Sequence, residues 1–425
     1  MKPAFRPLEL FLLVPGWLFL AVAQLQVALA DQARATLADL VPALAFALGL
    51  LAAHLALSLA GFRGDQLLLP LVAMGAAVGL AFIHRVASPE LALRQSIWFS
   101  LGLVAMLGTM AVARDLSWLR RYRYSWAVAG LLVMAATLVL GQGSSPGGPR
   151  LWMNFGFFQF QPSEIFKVLL AVFFAVYLDD YREILARGRI RVGPLTLPPL
   201  PHLLPMIAML GLSLVLLVVQ RDLGAALLYL AIFLAMLYLG SGQVLYVLAG
   251  GAGFALIAYG ATRWVEIVQT RVSIWLDPFA DPSASGYQVV QALIALAAGG
   301  VLGQGLGQGL PTVIPAVHTD FVLAGVGEEL GLMGSLGVVA LYMLMVGRGL
   351  HIALEAPTGF LQLLAGGLTA ALAIQTLVIM GGNLRLLPLT GITLPFMSYG
   401  GSSMLTNFVA VGLLLKISGE SARGA

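Results

Sequence analysis

Apolar residues in this chain fall in long, nearly unbroken runs. They do not form the i, i+3, i+4 stripe of a surface helix or the alternation of a half-buried strand. A helix needs about 20 mostly apolar residues to cross roughly 30 Å of hydrocarbon. Twelve runs approach or exceed that length, near 9–30, 40–60, 66–84, 96–113, 125–141, 161–178, 203–220, 223–240, 243–261, 321–347, 358–380 and 395–416. The pattern predicts an all-α polytopic membrane protein with about 12 transmembrane helices. Ala28-Leu29-Ala30 resembles a signal-peptidase site, but a signal h-region is only about 7–15 residues long. The first run is longer, so it reads as an uncleaved helix.

The longest connection, 262–320, contains an apolar helical stretch at 287–298 that is about half a span long, as in an interfacial or re-entrant helix. Gly299, Gly300, Gly303, Gly305, Gly307 and Gly309 follow it. They allow sharp turns or close approach to a ligand, although a flexible tether would have the same composition. No convincing internal repeat is visible, which weakens an inverted-repeat transporter.

Composition narrows the classes. Hydrophobic residues make up 60% of the 425 positions and charged residues 10%, against about 25% charged in soluble domains. A soluble enzyme is excluded. With no Cys, disulfides, thiolate metal sites and cysteine nucleophiles are excluded too. The net charge of +4 follows membrane topology: one set of alternating loops carries fourteen of the 23 Lys and Arg, the other eight, and Lys167 lies within a span. The positive-inside rule then predicts a multi-pass membrane protein with both termini cytoplasmic and 262–320 on the outer side. The basic residues call for no nucleic acid.

Ionisable groups inside spans cost about 2.5–3.5 kcal/mol each on insertion scales and by default mark function. Glu164 and Lys167 share a helix face at i, i+3, either as a structural ion pair or as part of a site. Upstream, Arg150 and Trp152 bring a cation and an amphipathic ring to the same surface, where an interfacial anchor would look alike. Asp222 begins a helix after a tight turn and suits an N-cap. Glu328 and Glu329 cannot both face lipid, so at least one must meet a cavity or a basic partner. At the mouth of the tenth span stand His318 and Asp320; Asp320 could cap that helix or act in catalysis. The stretch 388–403, with two prolines, a glycine pair and three serines including Ser398, argues for a broken helix lining a polar cavity. All of these lie on the outer side, which predicts one polar, mixed-charge pocket covered by the 262–320 loop.

The same segments carry a resemblance. Arg150-Leu-Trp152, Gln161-Pro-Ser-Glu-x-x-Lys167, Gln220-x-Asp-Leu-Gly224, Asp281-Pro followed by Gly286-Tyr-Gln288, His318-Thr-Asp-Phe321, Gly327-Glu-Glu-Leu-Gly331 and Leu394-Pro-Phe-x-Ser-Tyr-Gly-Gly-Ser-Ser403 occur in the order and spacing of one family. The chain resembles the SEDS family, the RodA/FtsW/SpoVE-type peptidoglycan glycosyltransferases. That resemblance implies a ten-helix membrane domain over 63–425, preceded by two extra helices in 1–62, with Asp320 as the essential acid. Arg221, Ala316 and Arg385 depart from the family pattern, which usually has Pro, Glu and Gly there. Elongation and division both remain open.

The implied reaction joins lipid II disaccharide units into glycan strands outside the membrane and releases undecaprenyl diphosphate. It needs a base for the acceptor hydroxyl and positive charge for the departing diphosphate. Asp320 suits the base. Arg150, Lys167, Arg221, Arg271 and Arg385 could meet the diphosphate, alone or with a divalent cation such as Mg2+ or Mn2+, to which Asp320 is one candidate ligand; no organic cofactor is expected. Gln288 completes the candidates. The implied partners are lipid II, undecaprenyl-diphosphate-linked glycan, a class B penicillin-binding protein and other elongasome or divisome membrane proteins. The competing readings are a flippase or transporter of a lipid-linked precursor and a non-catalytic scaffold.

Overall fold

Within hydrocarbon, backbone polar groups must be paired inside their own segment. In the computed structural model each of the twelve apolar runs accordingly becomes a helix. The structure describes residues 5–30, 40–112, 116–143, 149–156, 158–187, 190–192, 195–197 and 200–424. The helices are α1 (Pro7–Ala30), α2 (Val41–Leu59), α3 (Leu68–Val86), α4 (Pro89–Val112), α5 (Ser117–Arg121), α6 (Arg123–Leu140), α7 (Pro162–Arg187) and α8 (Leu200–Val219). They continue with α9 (Leu223–Ser241), α10 (Val244–Trp264), α11 (Glu266–Leu276), α12 (Tyr287–Gly299), α13 (Val322–Glu355), α14 (Gly359–Asn383) and α15 (Gly401–Gly424).

Among the described residues eleven helices are long and apolar enough to cross a membrane. The predicted sixth span, α7, falls outside that set by its charge: Glu164, Lys167, Asp179, Asp180, Arg182 and Glu183 all lie on it. Protein surrounds it instead of lipid. From Phe166 to Leu178 every residue but Leu169 is buried, against α6, α9, α14 and α15. A helix at the centre of a bundle can carry charges that a lipid-facing one cannot. Glycine-rich α10 is the opposite case: it packs on α9 and α11, and nearly all of its apolar surface faces outward.

Helices α1 and α2 lie against α3 and α4. At the end of the bundle where α1 begins, buried Arg6 binds Glu9 and donates to the carbonyls of Phe62 (3.2 Å), Gly64 (3.1 Å) and Asp65, while Glu9 also meets His54 Nδ1 at 2.8 Å. Arg348 reaches Asp65 from α13.

The opposite end is built from irregular backbone. A small antiparallel sheet of β1 (Gln142–Gly143), β2 (Arg150–Asn154) and β3 (Gln159–Phe160) precedes α7. The expected half-span at 287–298 is α12. Glycine lets it pack closely, because a Cβ on Gly299 would overlap the Gly327 carbonyl oxygen of α13. Within α13 the helix breaks at Gly331 (φ 69°, ψ −167°), a conformation that only glycine adopts easily. The freed backbone groups pair with the glycine-rich run: Leu332 and Met333 N–H donate to Gly300 and Val301 carbonyls (2.9 and 3.1 Å), and Gln304 and Gly305 N–H donate to Glu328 and Glu329 carbonyls (2.9 and 3.0 Å). The run is therefore not a loose tether. The expected broken helix in 388–403 is turn and extended chain up to Gly400, and α15 starts at Gly401 rather than near 395.

Candidate functional site

Asp320 ends the long connection one residue before the cap of α13. That cap is Phe321, and no side chain bonds to the helix terminus from that position. The capping work is done by Asn383 at the end of α14: its Oδ1 accepts from Ala324 N–H (3.2 Å), and its Nδ2 donates to the Asp320 carbonyl (2.7 Å) and to Ile379 O (3.0 Å). The Asp320 carboxylate is thus left to line a cavity of about 210 Å³.

That cavity is shared with Arg271 and Trp275 from α11, Gln288 from α12 and Arg385 from the chain after α14. Arg271 is held by its Nη1 donating to the carbonyls of Leu389 (3.2 Å) and Thr390 (3.1 Å). Burial pushes the Asp320 carboxyl above its ordinary value, against the opposing pull of Thr319 and of the Arg271 charge. The same burial lowers the Arg271 guanidinium, with Asp222 and Asp320 pulling it back up. It remains a cation at neutral pH. An acid with a raised pKa and a fixed cation thus share one cavity wall.

Asp222 is the N-cap of α9, accepting from Ala225 N–H at 3.0 Å, and its other oxygen accepts from Gln161 Nε2 at 3.3 Å. Burial, assisted by Glu164, raises its pKa, while the Ala225 bond, Arg271 and Gln161 oppose the rise. Gln161 leads into α7, where Lys167 Nζ meets Glu164 Oε2 at 2.7 Å and Gln375 Oε1 at 2.8 Å. Gln375 in turn donates to Thr393 O at 2.8 Å. Glu164 and Lys167 therefore stand in a polar network beside the cavity.

The single pocket expected to gather every charge is not what forms. Arg150 and Trp152 sit on β2 of the small sheet, outside the cavity lining, with Trp152 paired to Gln142. Glu328 Oε1 accepts from Leu310 N–H (2.8 Å) and Glu329 Oε1 from Arg85 Nε (3.2 Å), so both acids hold the glycine run. Ser398 donates to the Thr319 carbonyl at 2.6 Å and accepts from Leu394 N–H at 2.9 Å, which braces the backbone behind Asp320. His318 stacks edge-on against Tyr399 with ring centres 5.9 Å apart, and burial lowers its pKa. That is the geometry of a loop support.

The three departures from the family pattern share a conformation. Arg221, Ala316 and Arg385 have φ of 62°, 57° and 57°, a left-handed backbone that costs a non-glycine residue roughly 1–2 kcal/mol. At Arg385 the side chain offsets that cost: Nε donates to Trp275 O (2.9 Å), Nη2 to Leu276 O, and Trp275 Nε1 returns a bond to Arg385 O (3.1 Å). Arg385 brackets α11 against the cavity. Asn383, Gln375 and Trp275 were not singled out from sequence. For the first two, the available signal was a lone amide within an apolar run.

Comparison with known proteins agrees with this arrangement. The family model of the FtsW/RodA/SpoVE cell cycle proteins matches residues 63–423. The peptidoglycan glycosyltransferase RodA of Mycobacterium tuberculosis is 39% identical over 381 residues, covering 87% of this chain and 81% of that protein. The probable peptidoglycan glycosyltransferase FtsW of Geobacter sulfurreducens is 36% identical over 333 residues, covering 76% and 84%. Among solved structures, a chain of a peptidoglycan synthase complex superposes with a TM-score of 0.71 at 30% identity over 84% of this chain and 98% of that one. The crystal structure of the Thermus thermophilus rod shape determining protein RodA gives 0.60 at 28%, over 84% and 97%. With the family pattern running through nearly the whole chain and its fold reproduced, this multi-pass membrane protein belongs to the FtsW/RodA/SpoVE family.

Proposed function

We propose that the chain is a peptidoglycan glycosyltransferase that polymerises lipid II, with Asp320 as general base. The observation that carries this reading is the shared cavity: a carboxylate not used as a helix cap, beside the fixed guanidinium of Arg271. A hydroxyl of the acceptor lipid II attacks the anomeric carbon of the glycan held on undecaprenyl diphosphate. The new C–O bond forms as the bond to diphosphate breaks, and the hydroxyl proton passes to Asp320. Arg271 and Arg385 supply positive charge to the departing diphosphate, and Gln288 offers an amide to the sugars. Magnesium is usually held by one or two carboxylates together with substrate phosphates. A single lining carboxylate fits that mode, so Asp320 with diphosphate oxygens would be the ligand for Mg2+ or Mn2+, adding charge stabilisation, in the alternative where it does not serve as the base. Among the described residues no three His, Asp or Glu gather as a metal group by themselves.

The test is polymerisation of purified lipid II by the full chain, with and without a class B penicillin-binding protein; no glycan strands under either condition would sink the reading. Kinship to a chain from a peptidoglycan synthase complex supports that choice of partner. Because the base is the ionised form, activity should rise with pH, and the limb should be lost as pH falls through the raised Asp320 pKa. Its midpoint should lie above the ordinary aspartate value of about 3.9. Arg271→Gln removes a charge that holds this pKa down and should move the midpoint higher still. A limb at the ordinary value, unmoved by Arg271→Gln, would point to another group.

Both termini are assigned to the cytoplasm and the cavity to the outer face, on the bias of fourteen to eight basic residues. A chain with no native Cys permits a clean check. Cysteine at exposed Ser283 should react with an impermeant thiol reagent from outside, and cysteine at exposed Ser117 should not. The reverse pattern would move the cavity to the cytoplasm.

A further inference from the structure

Asp320 is the last residue of a connection that leaves α12, turns through the glycine run and returns to α13. Its placement therefore depends on whatever holds that run. Four backbone bonds fasten 300–305 to the break in α13. Beyond Gly305 the run bears no such ladder, and side chains take over, with Arg85 the one that binds its carbonyls. Arg85, at the end of α3, donates from Nη2 to the carbonyls of Gly307 (3.3 Å) and Gly309 (3.1 Å) and from Nε to Glu329 Oε1 (3.2 Å). Next to it, Glu328 Oε1 accepts from Leu310 N–H. The run also rests on α1: a Cβ on Gly307 would lie 2.9 Å from Ala30 Cβ and 3.9 Å from Arg85 Nε. From Leu310 the chain passes through buried Ile314 and Val317 directly to Asp320.

We infer that Arg85 is a positioning residue for the transfer reaction: by clamping Gly307, Gly309 and Glu329, with α1 packed beside it on Gly307, it fixes the connection that places Asp320 in the cavity with Arg271. This rests on the reading of Asp320 as the base. Guanidinium chemistry suits the task, since its forked donors reach three acceptors at fixed angles, where an ammonium acts as a point charge. Misplacement of a catalytic group by about 1 Å can cost on the order of 10²-fold in rate.

The test uses the full-length chain with one reporter cysteine at buried Ile314, in the parent and in Arg85→Gln, Arg85→Lys, Glu329→Gln and Ala30→Leu backgrounds. Arg85→Gln should speed thiol labelling at position 314 by about tenfold or more. In the cysteine-free background it should lower kcat by about 10²-fold, with KM for lipid II within about twofold. Arg85→Lys should fall between, because the charge facing Glu329 stays while the two carbonyl bonds cannot both be kept. Ala30→Leu should reproduce the kcat loss more weakly without touching any charge. Should Arg85→Gln fail to fold, the Lys and Ala30 variants decide. Unchanged labelling, or a loss confined to KM, overturns the inference. Faster labelling with parent kcat overturns it while leaving the role of Asp320 intact. In a parent that does not polymerise at all, the catalytic reading fails, and labelling alone decides whether Arg85 holds the loop.

Discussion

Asp320→Asn should leave a folded, membrane-inserted protein that makes almost no glycan. Asparagine keeps the size of the side chain, and the neighbouring helix does not feel the change, because Asn383 rather than Asp320 supplies its cap. What disappears is the basic carboxylate. General-base catalysis contributes about 10²–10⁴-fold, and the loss should fall in that range at unchanged thermal stability. Asp320→Glu restores the charge but advances the carboxylate by one methylene into a cavity walled by Arg271 and Gln288, so rescue should be partial. Loss of metal binding would give a similar deficit; titration with Mg2+ and Mn2+ in both variants separates the two. Strand synthesis by Asp320→Asn near the parent rate would remove the acid from the mechanism and favour a carrier of lipid-linked precursor.

Lys167→Met should be the most damaging change to stability. The lysine side chain is 3% exposed and that of its partner Glu164 is 14% exposed, so the substitution strands a carboxylate in a poorly solvated place. Breaking such a pair from one side costs about 3–5 kcal/mol, whereas replacing both members is often close to neutral. The double variant Glu164→Gln with Lys167→Met should therefore recover most of the stability. Activity should not recover with it, because Gln161, at the head of the same helix, hands the network on to Asp222, whose charge in turn acts on Arg271. Thermal melts beside turnover per folded molecule distinguish the two. Parent-level turnover in the folded double variant would reduce the pair to a structural closure.

What could be read in the sequence followed from constraints that act locally. Lipid fixes the length of an apolar helix, so the runs were visible, as was the half-length of 287–298. A helix start fixes the type of its cap, so Asp222 could be read as one. The grouping of the charges was another matter. Glu328 and Glu329 plainly needed a basic partner, yet Arg85 lies 244 positions from Glu329 and nothing nearby in the chain singles it out. Arg271 meets its carbonyls 118 and 119 positions away. Charged and polar candidates from one end of a bundle look alike in a string of letters. In three dimensions some face a cavity and others fasten backbone. The capping reading of Asp320 was locally sound and failed because a distant amide, Asn383, does that work.

The break at Gly331 carries an implication for how such chains can change over generations. Connections between helices ordinarily absorb extra residues without harm. This one cannot, since its amides and carbonyls are matched one to one with those of the interrupted helix at four places. Adding or deleting a single residue between Val301 and Gln304 would throw the two pairs of bonds out of register with each other, which no compensating side chain could repair. Sequence here can drift by substitution, while its length is locked.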